Sequence, residues 1–219
     1  MKNFNYVEQK NFFTKSYTQS ILKKFNHIFK NSSYKKINLN TFELKIDEIL
    51  DDPLLLEVFN KVHEQIEIIT NLKNLKLNKL WLVYSVPDAI KKTNVPYIPH
   101  FDKQRYMKAM LYLNPVSIKN GPIHLGEVKN SINIEEKRLK LPEDYKLKKL
   151  NIISNKQLKK ELKPMLGNSG DIIFFDTNSP HKAGLIEKGY YRKVMRFDFE
   201  INKKSKNKFF LKKLFNFIK

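Results

Sequence analysis

The chain reads as a mainly β fold preceded by helices (α+β), a sandwich or jelly roll with N-terminal helical packing. Three observations point there. Helical periodicity dominates residues 1–72, the apolar pattern then breaks into short runs bounded by Pro, Gly, Asn or Asp, and no helices alternate with those runs as βαβ units would require. At 219 residues the chain can carry one large domain with a substantial core. We divide it into a helical segment (1–72), a β core (73–202) with an insertion at 129–165, and a basic tail (203–219).

Residues 1–45 are rich in Lys and Asn with scattered aromatics. Within them "TQSILKKFNHIFK" (18–30) sets Ile21, Leu22, Phe25 and Ile28 at helical spacing, with His27 at the margin. A second helix begins at "DDPLLLEVFNKVHEQIEIITNL". Asp51 or Asp52 can cap it, Pro53 suits its first turn, and Leu55, Phe59, Val62, Ile66 and Ile69 form one stripe beside a boundary His63.

Strands are expected at 79–86, 106–114, 122–128, 170–176 and 191–200, where β-branched, aromatic and large apolar residues gather. The charged insertion holds at most a short helix near 156–163, and reads as a lid, a substrate-side wall or a surface excursion. The tail "KNKFFLKKLFNFIK" can bring Phe210, Leu211, Leu214, Phe217 and Ile218 onto one face. It would pack on its own domain or associate weakly with anionic lipid.

The formal charge of +20 comes from 42 Lys+Arg against 22 Asp+Glu. Only Arg105, Arg138, Arg192 and Arg196 are arginine, and the remaining 38 lysines are scattered. No helix-turn-helix, zinc-finger or RNP-type pattern accompanies them, so the charge reads as solvated surface and not as a nucleic-acid interface. The absence of Cys removes disulfides, thiolate metal sites and cysteine nucleophiles, and fits a reducing cytosol. With no apolar leader and no run of 18 apolar residues, the expectation is a soluble, cytoplasmic chain. No feature of the pattern speaks to oligomeric state.

In "YIPHFDKQRYMKAMLYLNPV" (97–116), His100 and Asp102 lie two residues apart entering a strand, so both can face one way and chelate one ion. Chance produces an H-x-D about once in five sequences of this composition, so the spacing needs support. His181, in "GDIIFFDTNSPHKAG", would complete two nitrogens and one oxygen, the facial triad of non-haem Fe(II). Arg192 follows eleven residues later, where a chain so poor in arginine suggests a need for bidentate carboxylate capture; Arg196, on the same strand face, is the alternative. Lys108, Tyr112 and Asn114 alternate onto the face of Asp102 if the strand is unbroken. Asn114 and Tyr84 are further candidates on the co-substrate side.

The segments "HFD" (100–102), "YMKAMLYLNPVSIKNGPIHLG" (106–126) and "GNSGDIIFFDTNSPHKAGLIEKGYYR" (167–192) together resemble the Fe(II)/2-oxoglutarate-dependent oxygenases, within them the phytanoyl-CoA dioxygenase-like branch. The resemblance covers roughly residues 80–200. It implies a double-stranded β-helix, iron held by His100, Asp102 and His181, and the distal carboxylate of 2-oxoglutarate on Arg192. It further implies consumption of O2, release of succinate and CO2, and hydroxylation of a small-molecule or lipid-like substrate. A carboxylate at position 102 argues against halogenation, because related halogenases leave that place to chloride. One departure stands out: "GPIHLGEVKNS" replaces the family's usual proline-glycine-serine-histidine segment, and His124 there reads as core or as support behind the site. The alternatives are a jelly-roll binding protein without turnover and a basic protein peripheral to membranes or RNA.

Overall fold

The computed structural model describes residues 5–31, 36–38, 41–87 and 95–201. The amphipathic stretch read over 206–219 lies outside the described residues. Ten strands and four α-helices follow in the order β1 (Tyr6–Gln9), α1 (Lys15–Lys30), β2 (Lys36–Asn38), β3 (Thr41–Leu44), α2 (Ile46–Leu50), α3 (Pro53–Thr70), β4 (Lys76–Ser85), β5 (Tyr106–Tyr112), β6 (Ile123–Leu125), α4 (Ile134–Leu139), β7 (Lys163–Pro164), β8 (Ile172–Asp176), β9 (His181–Ala183) and β10 (Arg192–Glu200). Among them no helix is long and apolar enough to cross a membrane.

Both helices expected in the N-terminal segment form. The Thr14 hydroxyl accepts from the Tyr17 amide at the start of α1, and Asp52 Oδ1 accepts from the Leu55 amide at the start of α3, with Pro53 in its first turn. Helix α3 ends at Asn71 in the left-handed conformation, φ 54°. Ile21, Phe25 and Ile28 of α1 and Leu55, Val58, Val62 and Ile66 of α3 are fully buried, each worth about 1.5–3 kcal/mol relative to exposure.

These side chains cover the outer face of a seven-stranded antiparallel sheet of order β1-β8-β5-β10-β4-β3-β2. Strand alternation sorts the rest. Leu80 and Leu82, Met107, Ala109 and Leu111, and Met195, Phe197 and Phe199 face the helices. Met110 and Tyr112, Ile173 and Phe175, and Val194 face inward, where Ile123, Leu125 and Met165 meet them from the smaller sheet β7-β6-β9. The result is a two-sheet jelly roll with helices stacked on one outer side.

Three elements differ from expectation. Strands β1, β2 and β3 arise inside the Lys/Asn-rich N-terminal segment, so the boundary near residue 72 separates helices from sheet only in part. Phe42 and Leu44 of β3 are buried and pair with Leu82 and Leu80 of β4. The helix expected at 156–163 is a 3₁₀ turn (Asn155–Gln157) leading into β7, and the insertion's α-helix lies at Ile134–Leu139. Leu158 and Leu162 have helical spacing, but backbone bonds from Lys129 N to Gln157 O (2.9 Å) and from Lys159 N to Glu127 O (2.8 Å) draw this stretch into extended pairing. The strand expected over 122–128 shortens to Ile123–Leu125.

Candidate metal and co-substrate site

The two histidines, 81 positions apart in sequence, are brought together by backbone. His100 N donates to His181 O and His181 N to His100 O, both at 3.0 Å, and the ring centroids lie 4.5 Å apart. Each Nδ1 lies against a carbonyl, Ile98 O at 2.8 Å and Ser179 O at 2.9 Å. A carbonyl oxygen only accepts, so both Nδ1 atoms carry the proton and both Nε2 lone pairs are free to bind metal. Burial first, then the neighbouring His181, pushes His100 down to about 4, so its imidazole is neutral at physiological pH.

Asp102 completes the group, with Oδ1 3.5 Å from His181 Nε2. One ligand atom from each of His100, Asp102 and His181 lies within 4.8 Å of the others. Ligands about 2.1 Å from one ion sit about 3 Å apart on a shared face, so the donor set fits a single divalent ion with a small closing movement. Burial alone would raise the Asp102 carboxyl; the Lys108 ammonium instead holds it well below the usual carboxylate range. Lys108 Nζ lies 2.6 Å from Asp102 Oδ2.

The triad does not rest on an unbroken strand. His100 is a bridge residue, and the stretch from Phe101 to Arg105 leaves strand geometry before β5 begins. What holds it is the insertion. Phe101 points away from the site and is fully buried among Ile134, Ile153, Leu158 and Leu162. Phe101 N donates to Asn151 O (3.1 Å), Asn151 Nδ2 to Phe101 O (2.9 Å) and Ile153 N to Pro99 O (2.9 Å). The guanidinium of buried Arg138 ties Asp102 O (2.9 Å) to Thr177 O (3.3 Å) and Asn178 Oδ1 (2.5 Å). The 129–165 insertion thus braces the segment that carries His100 and Asp102. Replacing Arg138 with Met strands these acceptors and is expected to destabilise the protein by about 2–4 kcal/mol, read as a lower denaturant midpoint at unchanged m.

The triad opens on a cavity of about 450 Å³ whose walls include Ser85, Lys108, Arg192 and Arg196. Alternation along β10 turns Arg192, Val194, Arg196 and Asp198 inward, and the register sets Ser85 opposite Arg192 and Lys108 opposite Asp198. The two arginines differ in what they touch. Arg196 forks onto Asp198 with two 3.0 Å bonds and lies 5.0 Å from the Trp81 ring, so its charge is compensated. Arg192 is buried; its Nη1 donates to Gly121 O, its Nε has no partner among the described residues, and burial lowers its pKa. Gly121 is required at that contact. Its φ is +63°, and a Cβ there would meet Gly184 O at 2.6 Å and the Ile186 side chain at 2.7 Å.

Two candidates lie elsewhere. Tyr84 shares the outer face of β4 with Leu80 and Leu82; its ring meets Phe29 and Tyr191, and the Lys193 ammonium lies over it, so Ser85 takes the cavity position instead. Asn114 lies past the end of β5, outside the cavity wall. Its Oδ1 accepts from Lys193 N at 2.6 Å and its Nδ2 donates to Tyr191 O at 3.3 Å, which pins the backbone flanking Arg192. Asn120 adds a 2.7 Å bond to the same Tyr191 carbonyl. Tyr112 spends its hydroxyl on Met165 O, and His124 sits between the inward-facing Ile123 and Leu125, on the opposite face of β6. Lys108 does line the cavity, as its alternation with Asp102 suggested, whereas Arg138 is a residue that sequence reasoning passed over.

No protein-family model matches the sequence, and no curated protein does. Solved structures do match. The epimerase SnoN from nogalamycin biosynthesis, described as non-heme and alpha-ketoglutarate dependent, superposes with TM-score 0.61 at 15% identity over 90% of this chain and 78% of its own. HygX from Streptomyces hygroscopicus, with nickel and 2-oxoglutarate bound, gives 0.61 at 12% identity over 91% and 84%. A Pseudomonas putida prolyl-4-hydroxylase gives 0.57 at 12% identity over 90% and 93%. The fold is a double-stranded β-helix. The fold expected from the resemblance is therefore the fold observed.

Proposed function

We propose that this chain is an Fe(II)- and 2-oxoglutarate-dependent dioxygenase of the phytanoyl-CoA dioxygenase-like kind that hydroxylates a small-molecule or lipid-like substrate. The observation that carries the reading is one cavity holding both parts of such a site. His100, Asp102 and His181 converge with both Nε2 lone pairs turned to the metal position, and Arg192 lies buried with Nη1 on Gly121 O and no carboxylate paired with it among the described residues. The likeness to SnoN, HygX and a prolyl hydroxylase supports it at the level of fold.

Each residue then has a task. His100, Asp102 and His181 would hold iron by one face, and the Nδ1 bonds to Ile98 O and Ser179 O fix both imidazoles in the ligating tautomer. Arg192 would pair with the distal carboxylate of 2-oxoglutarate, and Asn114, Asn120 and Gly121 hold Arg192 in place. Apolar walls from Val83, Met110 and Phe175 exclude water from the reacting centre. Bound iron with 2-oxoglutarate and O2 supplies oxidative decarboxylation to succinate and CO2 and the oxidant for a substrate C–H bond. A cavity of about 450 Å³ lies in the range of small-molecule sites, roughly 300–1,000 Å³. The absence of Cys is consistent with work in a reducing compartment such as the cytosol.

The test is anaerobic addition of Fe(II) and 2-oxoglutarate to metal-free protein. The expected result is the weak visible charge-transfer band of a bidentate keto-acid complex, lost in His181→Ala. A folded protein that binds no Fe(II) and shows no band would instead favour a jelly-roll binding protein without turnover.

A further inference from the structure

We propose that Lys108 is a positioning residue for Asp102, holding one carboxylate oxygen so that the other alone reaches the metal. The inference rests on the oxygenase reading above. The two oxygens of Asp102 are divided between partners: Oδ2 lies 2.6 Å from Lys108 Nζ, while Oδ1 faces His181 Nε2 at 3.5 Å. Lys108 is itself fixed. It sits mid-strand in β5, paired on one side with Asp198 of β10 and on the other with Phe175 of β8, and is only 8% exposed. Among the described lysines it is the buried one, and it lines the cavity.

A lysine is an expensive choice beside a divalent cation, because its charge opposes the ion. Its benefit is denticity. A free carboxylate can offer both oxygens to a metal, and a bidentate Asp102 would occupy a fourth of six coordination positions. Two would then remain, enough for the keto acid or for O2 with one donor of it, but not for both. Lys108 keeps Asp102 monodentate and three positions open, at the expense of metal affinity. Removing it should therefore move the two affinities in opposite directions, which damage to the fold would not do.

The experiment uses the full chain, with Fe(II) affinity and 2-oxoglutarate affinity measured separately and anaerobically, the second from the charge-transfer band. In Lys108→Met, Fe(II) is expected to bind roughly tenfold more tightly and 2-oxoglutarate at least tenfold more weakly, within the 10–100-fold range of residues that support metal ligands. Lys108→Gln keeps a donor for Oδ2 without the charge. It is expected to tighten Fe(II) while retaining 2-oxoglutarate binding within about threefold, and it provides the test if the Met variant does not fold. Unchanged 2-oxoglutarate affinity in Lys108→Met, or weakening of both ligands together with a lowered melting temperature, would overturn the proposal. If wild-type protein binds Fe(II) but shows no keto-acid band, the oxygenase reading fails, and tightening or weakening of Fe(II) in Lys108→Met still decides whether Lys108 restrains Asp102.

Discussion

Asp102→Ala is expected to abolish the keto-acid complex and turnover, with Fe(II) affinity falling by more than about a hundredfold, since loss of merely supporting residues already costs 10–100-fold. The same loss is expected for His100→Ala and His181→Ala, whose backbone bridge does not depend on the side chains. The aspartate variant carries a second consequence. It strands Lys108, which is only 10% exposed at its side chain and pairs with the Asp102 carboxylate at 2.6 Å. Removing one member of a buried pair costs about 3–5 kcal/mol, less here because Asp102 itself retains 27% exposure. Asp102→Ala should therefore melt several degrees lower than wild type, while Asp102→Ala/Lys108→Met regains stability without regaining iron. Thermal unfolding and bound-iron measurements on the four proteins of this cycle separate the two effects. Wild-type turnover in Asp102→Ala would defeat the assignment of the triad.

The parts of the site that were legible are those where side-chain chemistry and spacing coincide. His100 and Asp102 two residues apart, His181 after an apolar strand, and Arg192 in an arginine-poor chain each carry a signal in one dimension. The parity of β10, with Phe197 and Phe199 outward and Arg192 and Arg196 inward, follows from simple alternation. Parity failed on β4, where Tyr84 and Ser85 are both plausible donors and only the pairing of Ser85 with Arg192 reveals which faces the cavity. Asn114 misled for a related reason: β5 ends at Tyr112, and the amide turns to backbone two residues later.

The insertion at 129–165 was opaque because its order is tertiary. Leu158 and Leu162 have a helical spacing that the backbone does not follow, Ile134 and Ile153 lie outside it, and the four converge around Phe101. Arg138 works through the carbonyls of Asp102 and Thr177, groups that every residue has, so its spacing to any motif is uninformative. The N-terminal strands were hidden by composition. Tyr6–Gln9 is only half-buried, and its place is set by the hydrogen bonds offered by the edge of β8.

Arg192→Met is expected to produce two changes of opposite sign. The affinity for 2-oxoglutarate should fall by roughly a hundredfold or more, because removing one partner of a buried charge pair costs about 2–5 kcal/mol. The free protein should meanwhile gain stability. Its guanidinium is buried beside a backbone carbonyl with Nε unpartnered, and an apolar side chain of similar volume in place of a poorly compensated charge is neutral or stabilising by about 1–4 kcal/mol. For a chain of this size each 1 kcal/mol moves the melting temperature by about 2–4 °C. Arg192→Lys keeps the charge but loses the planar fork, and should bind 2-oxoglutarate between the two extremes without the gain in stability. Titration of the keto-acid band and thermal unfolding of the metal-free variants check both signs. Undiminished 2-oxoglutarate affinity in Arg192→Met would transfer the role to Arg196, whose release from Asp198 and Trp81 would then have to accompany binding. A residue whose removal strengthens the fold and empties the site is one retained for its ligand, and that is the signature Arg192 should show.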